Sequence, residues 1–199
     1  MGDRKTYRVN EIFASLQGEG YWTGRAAVFV RFSGCDLSCP FCDTDFRQYE
    51  TMDKEEILRR VREAAPECRF VVLTGGEPTM QADKELIDLF HLHHYYIAME
   101  TNGTLPYPEG VDWVTCSPKT AYSAGARLAI SKAHEVKVIY DGKHPVSDEG
   151  LECQVRYLQP CDTGDEAKNK GILLGSIRYV MEHPQWRLSL QTHKLLGIR

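Results

Sequence analysis

The sequence lacks most of the features that would place it in a special class. No apolar run approaches the ~20 residues needed to span a bilayer, so no membrane segment is expected. Residues 1–10 are polar and have no apolar core of the secretory kind, which points to the cytoplasm. Positive charge is not in excess. There are 24 Lys and Arg against 28 Asp and Glu, a net charge of −4, which argues against broad electrostatic binding to nucleic acid. A small ligand in a local pocket stays compatible with that balance. Internal repeats, low-complexity tracts and long linkers are absent. A disulfide framework is missing too: seven cysteines is an odd number, and a reducing compartment is expected. What is present is ordinary globular material, 42% hydrophobic and 26% charged. The length is enough for a sizeable core, and one domain over residues 1–199 is expected.

Strand-like runs recur at 27–32, 69–73, 95–99, 113–116, 135–139 and 155–159. Helical patterns lie between several of them. Residues 53–65 set Ile57, Leu58 and Val61 on one face; 83–94 do the same with Leu86, Ile87, Leu89 and Phe90; 167–183 with Ile172, Leu173, Ile177 and Val180. Strands alternating with helices imply a parallel sheet with crossover helices. Residues 124–130 show no clear helix, so some crossovers are reduced. A complete eightfold barrel takes ~250 residues. The expected fold is therefore α/β, an incomplete, open TIM-like barrel with reduced crossover helices.

In parallel α/β folds chemistry sits at the carboxyl ends of the strands. Here polar or glycine-rich clusters follow strand after strand: Gly34 with three cysteines, Thr74 to Pro78, Glu100 to Gly103, Ser117 to Lys119, and Gln159-Pro160. Five such tips converging on one mouth predict a single large site.

The cysteines of that mouth read Cys35-x3-Cys39-x2-Cys42. A closed zinc site needs four ligands; Cys68 or one of His91, His93 and His94 could complete one only from afar. A cubane iron–sulfur cluster usually takes four cysteines. With three, one iron stays open, as binding the amino and carboxylate groups of S-adenosylmethionine (SAM) requires. The spacing resembles the signature of the radical SAM superfamily. Phe41, just before Cys42, stands where that superfamily favours an aromatic beside the adenine. Gly75-Gly76-Glu77-Pro78 resembles its SAM-amine motif, whose carbonyls and Glu77 carboxylate can accept from an ammonium group.

Further motifs narrow the resemblance: Glu11-Ile12-Phe13 with Ser15-Leu16-Gln17-Gly18-Glu19-Gly20, Val28 to Phe32, Cys42-Asp43-Thr44-Asp45-Phe46, Glu100 to Gly103, Ser117-Pro118-Lys119, Leu158-Gln159-Pro160, and Trp186 to Lys194. Together they resemble the 7-carboxy-7-deazaguanine synthase family over nearly the whole chain. That resemblance implies a radical SAM fold and a ring contraction of 6-carboxy-5,6,7,8-tetrahydropterin to 7-carboxy-7-deazaguanine, with loss of ammonia, on the way to queuosine. It implies a [4Fe–4S] cluster on Cys35, Cys39 and Cys42, SAM used as a reusable cofactor, and Mg²⁺ held by Thr44. SAM contacts would fall on Phe41, Cys42, Asp43, Gly76, Glu77, Ser117, Pro118, Lys119, Gln159, Pro160, Cys161 and Asp162. Pterin contacts would fall on Leu16, Gln17, Gly18, Arg31, Thr74 and the terminal carboxylate of Arg199. Arg31 offers a planar fork of donors to the substrate carboxylate. A homodimer and an electron donor such as flavodoxin are implied as partners. Two other readings stand beside this one: a glycyl-radical activating enzyme acting on a protein, and a small iron–sulfur or zinc module that binds partners. Cys68, Cys116 and Cys153 are expected to be buried small side chains without cluster roles. Leu188, Leu190, Leu195, Leu196 and Ile198 make the end of the chain apolar, and a packed terminus is expected.

Overall fold

Side-chain alternation sends the buried apolar residues of the central strands into two layers. The computed structural model describes residues 5–42, 44, 45 and 47–199. The strands are β1 (Tyr7–Leu16), β2 (Ala26–Phe32), β3 (Glu50–Met52), β4 (Phe70–Gly75), β5 (Tyr96–Thr101), β6 (Trp113–Cys116), β7 (Glu135–Tyr140), β8 (Val155–Pro160) and β9 (Trp186–Leu188). The helices are α1 (Lys54–Ala64), α2 (Lys84–Leu92), α3 (Glu166–Glu182) and α4 (Thr192–Leu196). All nine strands form one sheet in the order β3-β1-β2-β4-β5-β6-β7-β8-β9. β1 runs antiparallel to β2 and β3, and from β2 to β9 every neighbour is parallel. The two ends, β3 and β9, are edges, so the barrel is open, as the length predicts.

The outer face carries Val28, Val30, Val71, Leu73, Ile97, Met99, Val114 and Val136, which pack with Ile57, Val61, Leu86 and Phe90 of the helices. Most of these are wholly buried, and each contributes roughly 1.5–3 kcal/mol. Asp53, Asp83 and Asp165 start the three long helices by accepting from the backbone N–H of Glu56, Leu86 and Lys168 at 2.9, 3.0 and 3.1 Å. α1 buries Ile57, Leu58 and Val61 as its periodicity predicts, and α2 buries Leu86, Ile87 and Phe90, with Leu89 half-buried. Residues 124–130 hold no helix, also as predicted.

Three expectations change. β1 was not apparent in the sequence, because its register shifts between Val9 and Glu11 and blurs the alternation. In α3 the only buried residue is Ser176, while Ile177 lies exposed with Leu174 and Met181. The end of the chain is anchored, but not by apolar packing: Leu195, Leu196 and Ile198 are exposed. Its anchors are polar. Thr192 donates to the carbonyl of Gly18 from both its N–H and its hydroxyl, each at 2.9 Å. Among the described residues no helix is long and apolar enough to cross a membrane.

The inner face has a gradient that prepares the site. Along their direction β2 passes from Phe29 to Arg31, β4 from Val72 to Thr74, β5 from Ala98 to Glu100, β6 from Trp113 to Thr115, and β8 from Tyr157 to Gln159. The apolar ends fuse into a second core cluster. The polar ends stay available.

Candidate active site

Those polar ends surround a cavity of about 530 Å³, within the usual range for a small-molecule site. Its lining joins residues from β1, β2 and β4 through β8, the loops after them, and the C-terminal stretch.

The cysteine loop forms the lip. Cys35, Cys39 and Cys42 all border the cavity. The loop rests on the end of β4: the N–H groups of Gly76 and Glu77 donate to the carbonyls of Phe32 and Gly34 at 3.0 and 2.9 Å. A Cβ at Gly76 would stand 1.8 Å from the Gly34 oxygen, and one at Gly75 would stand 2.3 Å from the Phe32 oxygen. The paired glycines thus bring two protein backbones together, which is their visible role here. Burial pushes the Cys35 and Cys39 thiols up, while Leu37 N–H donates to Cys35 Sγ at 3.5 Å and Lys119 opposes the shift at Cys39. Three soft sulfurs on one short loop, opening on one cavity, are a donor set that suits an iron–sulfur cube with a free corner. Among the described residues no three His, Cys, Asp or Glu groups converge on a single point.

Glu77 sits behind the lip. It is 0% exposed, and both its oxygens are occupied. One accepts from Thr79 N–H, Thr79 Oγ1 and Thr101 Oγ1 at 3.0, 2.6 and 2.7 Å; the other accepts from Asn102 N–H at 2.7 Å. Asn102 in turn donates to Asp36 of the cysteine loop at 2.9 Å. Glu77 therefore knits three loops together, and it is not part of the lining. Pro118 is likewise buried outside the lining. Asp43 lies outside the described residues. Every other residue expected at the site borders the one cavity.

On the wall beside the cysteine loop, Phe41 meets Tyr122 edge-on at 4.8 Å, and the Lys119 ammonium donates to Ser117 Oγ and the Ser117 carbonyl at 2.5 and 2.7 Å. Burial and the nearby Lys137 charge push Lys119 down to about 8. Gln159 Oε1 accepts from Ser189 Oγ at 3.1 Å. Asp162 is held well below the usual carboxylate range by Lys194, 2.8 Å away, and by the Gly164 N–H. Pro160 and the buried Cys161 complete this wall.

On the rim, Arg31 Nε donates to Glu11 at 2.9 Å and its Nη1 to Thr44 Oγ1 at 3.2 Å. Glu11 also pairs with the guanidinium of Arg199. That guanidinium lies 4.8 Å from the Phe13 ring, and Ser15 Oγ donates to an oxygen of the Arg199 terminal carboxylate.

The floor is the part that motif reading missed. Lys137 is buried at 6% exposure, pairs with Glu19, and lies 3.9 Å from Glu100. Glu100 accepts from Gln17 Nε2 at 3.0 Å and from Thr74 Oγ1 at 2.9 Å. Burial works against the Lys137 charge, but Glu19 and Glu100 hold it above its ordinary value. Gln191 Nε2 donates to Glu19 at 2.9 Å. At Gly18 a Cβ would stand 2.2 Å from the His193 ring, so only glycine lets the C-terminal segment seat on this turn. A charged residue inside the apolar run Glu135 to Ile139 was the available signal for Lys137.

A three-cysteine lip at the carboxyl end of an open parallel barrel defines a class, and the sequence comparison agrees: residues 29–158 match the Radical SAM superfamily, to which the chain belongs. Within it the chain is 48% identical to a 7-carboxy-7-deazaguanine synthase of Bacteroides thetaiotaomicron over 96% of this chain and 98% of that one. It is 44% identical to a 7-carboxy-7-deazaguanine synthase of Nitratidesulfovibrio vulgaris, over 97% and 99%. The crystal structure of QueE from Escherichia coli matches the fold with a TM-score of 0.74 at 27% identity, over 93% of both chains. The chain belongs to the 7-carboxy-7-deazaguanine synthase family.

Proposed function

We propose that this protein contracts the ring of 6-carboxy-5,6,7,8-tetrahydropterin to 7-carboxy-7-deazaguanine, releasing ammonia, as a radical SAM lyase of queuosine biosynthesis. One observation carries the reading: a single cavity has three thiols at its lip and an alternating set of carboxylates, amide and ammonium on its floor. The lip suits the cofactors, and the floor suits a small heterocycle rich in donors and acceptors. A protein-activating enzyme would not need that floor, which is built from both ends of the chain.

When bound, the [4Fe–4S] cluster and SAM supply a 5′-deoxyadenosyl radical able to take hydrogen from C6 of the pterin and later to return it. The rest is done by the chain. Cys35, Cys39 and Cys42 hold the cluster. Phe41, Gly76, Ser117, Lys119 and the 159–162 loop hold SAM, with Asp43 beside them; Glu77 and Pro118 support those loops from behind. Arg31 has Nε tied to Glu11 and Nη1 to Thr44, which orients the guanidinium and leaves Nη2 for the substrate carboxylate. Thr44 supplies a hard oxygen for Mg²⁺, shared with substrate oxygens. Leu16, Gln17, Gly18, Thr74 and the Arg199 carboxylate receive the pterin edge. A carboxylate accepts from a ring N–H and an adjacent amino group together. Lys137 meets the opposite need, a donor to a ring oxygen. Enclosure by the terminal segments excludes water from the reacting centre. Family likeness supports residues 1–199 as one unit, a homodimer, a flavodoxin-type reductant and a cytoplasmic setting.

The test is direct. Anaerobically reconstituted protein, given the carboxypterin, SAM, Mg²⁺ and dithionite, should form 7-carboxy-7-deazaguanine and ammonia. Uncoupled SAM cleavage with no deazaguanine product would refute the assignment.

A further inference from the structure

On β7 the inner face is reversed. β2, β4, β5, β6 and β8 place apolar residues low and polar ones high; β7 places Glu135 and Lys137 low and Ile139 high. Lys137 is answered by the carboxylates of the floor. Glu135 is not part of the cavity lining, and it is 1% exposed. Its Oε2 accepts from the backbone N–H of Tyr21 at 3.1 Å and from Trp113 Nε1 at 3.2 Å. Its Oε1 is buried with no hydrogen-bond partner. A buried acceptor without a donor is destabilising, so a side chain kept for packing alone would be leucine.

The neighbouring turn explains the carboxylate. Residues Gly20–Trp22 form a 3-10 turn that directly follows Glu19. Gly20 has φ +67°, and a Cβ there would lie 2.0 Å from Glu135 Oε1. Gly20 N–H donates to Ser189 Oγ at 3.0 Å. The Tyr21 ring stacks on Trp113 at 4.6 Å. Glu135 thus grips the turn and its aromatic seat with one oxygen, while Gly20 sits flush against the other. Moving that turn moves Glu19, whose carboxylate faces the cavity.

We propose that Glu135 is a positioning residue: it clamps the Gly20–Trp22 turn and so holds the Glu19 carboxylate against Lys137 on the floor of the substrate cavity. The proposal rests on that floor receiving the pterin. It acts through Glu19, and the Glu135 carboxylate itself bonds to neither the cysteine lip nor the SAM wall.

Two variants of the reconstituted enzyme test it. Glu135→Leu keeps the volume and removes both acceptors. It should raise KM for the carboxypterin at least tenfold, with iron content, KM for SAM and pterin-independent SAM cleavage within twofold of wild type. Glu135→Gln keeps one oxygen able to accept from both donors, and should restore KM to within threefold. A pterin KM within twofold in Glu135→Leu, or an equal rise in KM for SAM, would overturn the proposal. If Glu135→Leu fails to load its cluster, Trp113→Phe removes one of the two donors; its pterin KM should rise about threefold, and an unchanged value would overturn the proposal. Amide exchange of the 17–25 peptide separates this proposal from the functional reading. If wild type does not turn over the carboxypterin, that reading falls by itself. Faster exchange in Glu135→Leu would still support the clamp, and unchanged exchange would sink it.

Discussion

Lys137→Met keeps the length of the side chain and removes its charge, leaving the buried Glu19 carboxylate without its ammonium. Breaking a buried ion pair from one side costs ~3–5 kcal/mol, because the remaining charge is desolvated and unanswered. In a chain of this length each kcal/mol moves Tm by ~2–4 °C, so a fall of about 10 °C is expected at pH 7. The pH dependence fixes the mechanism. Burial alone would raise the Glu19 carboxyl, yet Lys137 and Gln191 hold it at about 2, below its ordinary 4.5. A depressed acid stabilises the fold above 4.5 and loses that contribution as pH falls toward 2. Lys137 is raised above its ordinary 10.5, so its contribution is present below 10.5 and is lost only as pH rises through the higher folded value. The wild-type pair is therefore fully effective from 4.5 to 10.5. In Lys137→Met, Glu19 is left to burial, its carboxyl rises, and it takes up a proton on mild acidification. The Tm gap between wild type and variant should narrow between pH 7 and pH 5. Adding Glu19→Gln should recover at least half of the loss. Anaerobic calorimetry of cluster-loaded protein measures all three. A gap under 2 °C at pH 7, or one that widens toward pH 5, would refute the reasoning.

Replacing Cys35, Cys39 or Cys42 with Ala should abolish iron binding and SAM cleavage, while Cys68→Ser and Cys153→Ser keep iron near wild type; a cluster lost from either of the latter would contradict the three-ligand loop. Arg31→Ala should weaken the carboxypterin by ~2–5 kcal/mol and SAM far less, because it removes a charge-assisted partner and frees Glu11; titration calorimetry with each ligand decides. Thr44→Ala should lower the Mg²⁺ stimulation of turnover without loss of iron, and an unchanged Mg²⁺ response would leave Thr44 as the acceptor for Arg31 alone. Residues appended after Arg199 should raise pterin KM sharply and spare uncoupled SAM cleavage; full activity with the extension confirmed by mass spectrometry would count against the terminal carboxylate as a ligand.

How far the sequence could be read depended on whether a residue's job is local. β2 and β4 to β8 were legible because burial on both faces makes short apolar runs. The cysteine loop and the Gly75-Gly76 pair were legible because close approach needs particular residues at fixed spacing. The role of Glu77 was not. Its type is visible in the motif, but its saturation by Thr79, Thr101 and Asn102 depends on loops brought together by folding. Glu19 and Lys137 lie 118 residues apart; Glu19 alone does not differ from a surface charge, and Lys137 is marked only by the apolar residues around it. α3 misled for the opposite reason. Its apolar residues follow a helical period, yet of the expected face Ile177 is exposed and Ile172, Leu173 and Val180 are only half-buried.

Thr192 grips Gly18 across 174 positions of sequence, and that separation sets an order of events during synthesis. The cysteine loop and the residues seen to brace it, the last of them Tyr122, emerge well before the C-terminal stretch. The floor waits for the last residues. At ~5–20 residues per second the Gly18 turn spends on the order of ten seconds or more without its cap. A prematurely terminated chain would keep the sulfurs and their braces and lose the seat for its substrate. Metallocentre assembly and substrate capture are thus separable stages in the life of the nascent protein, with the vulnerable interval falling between them.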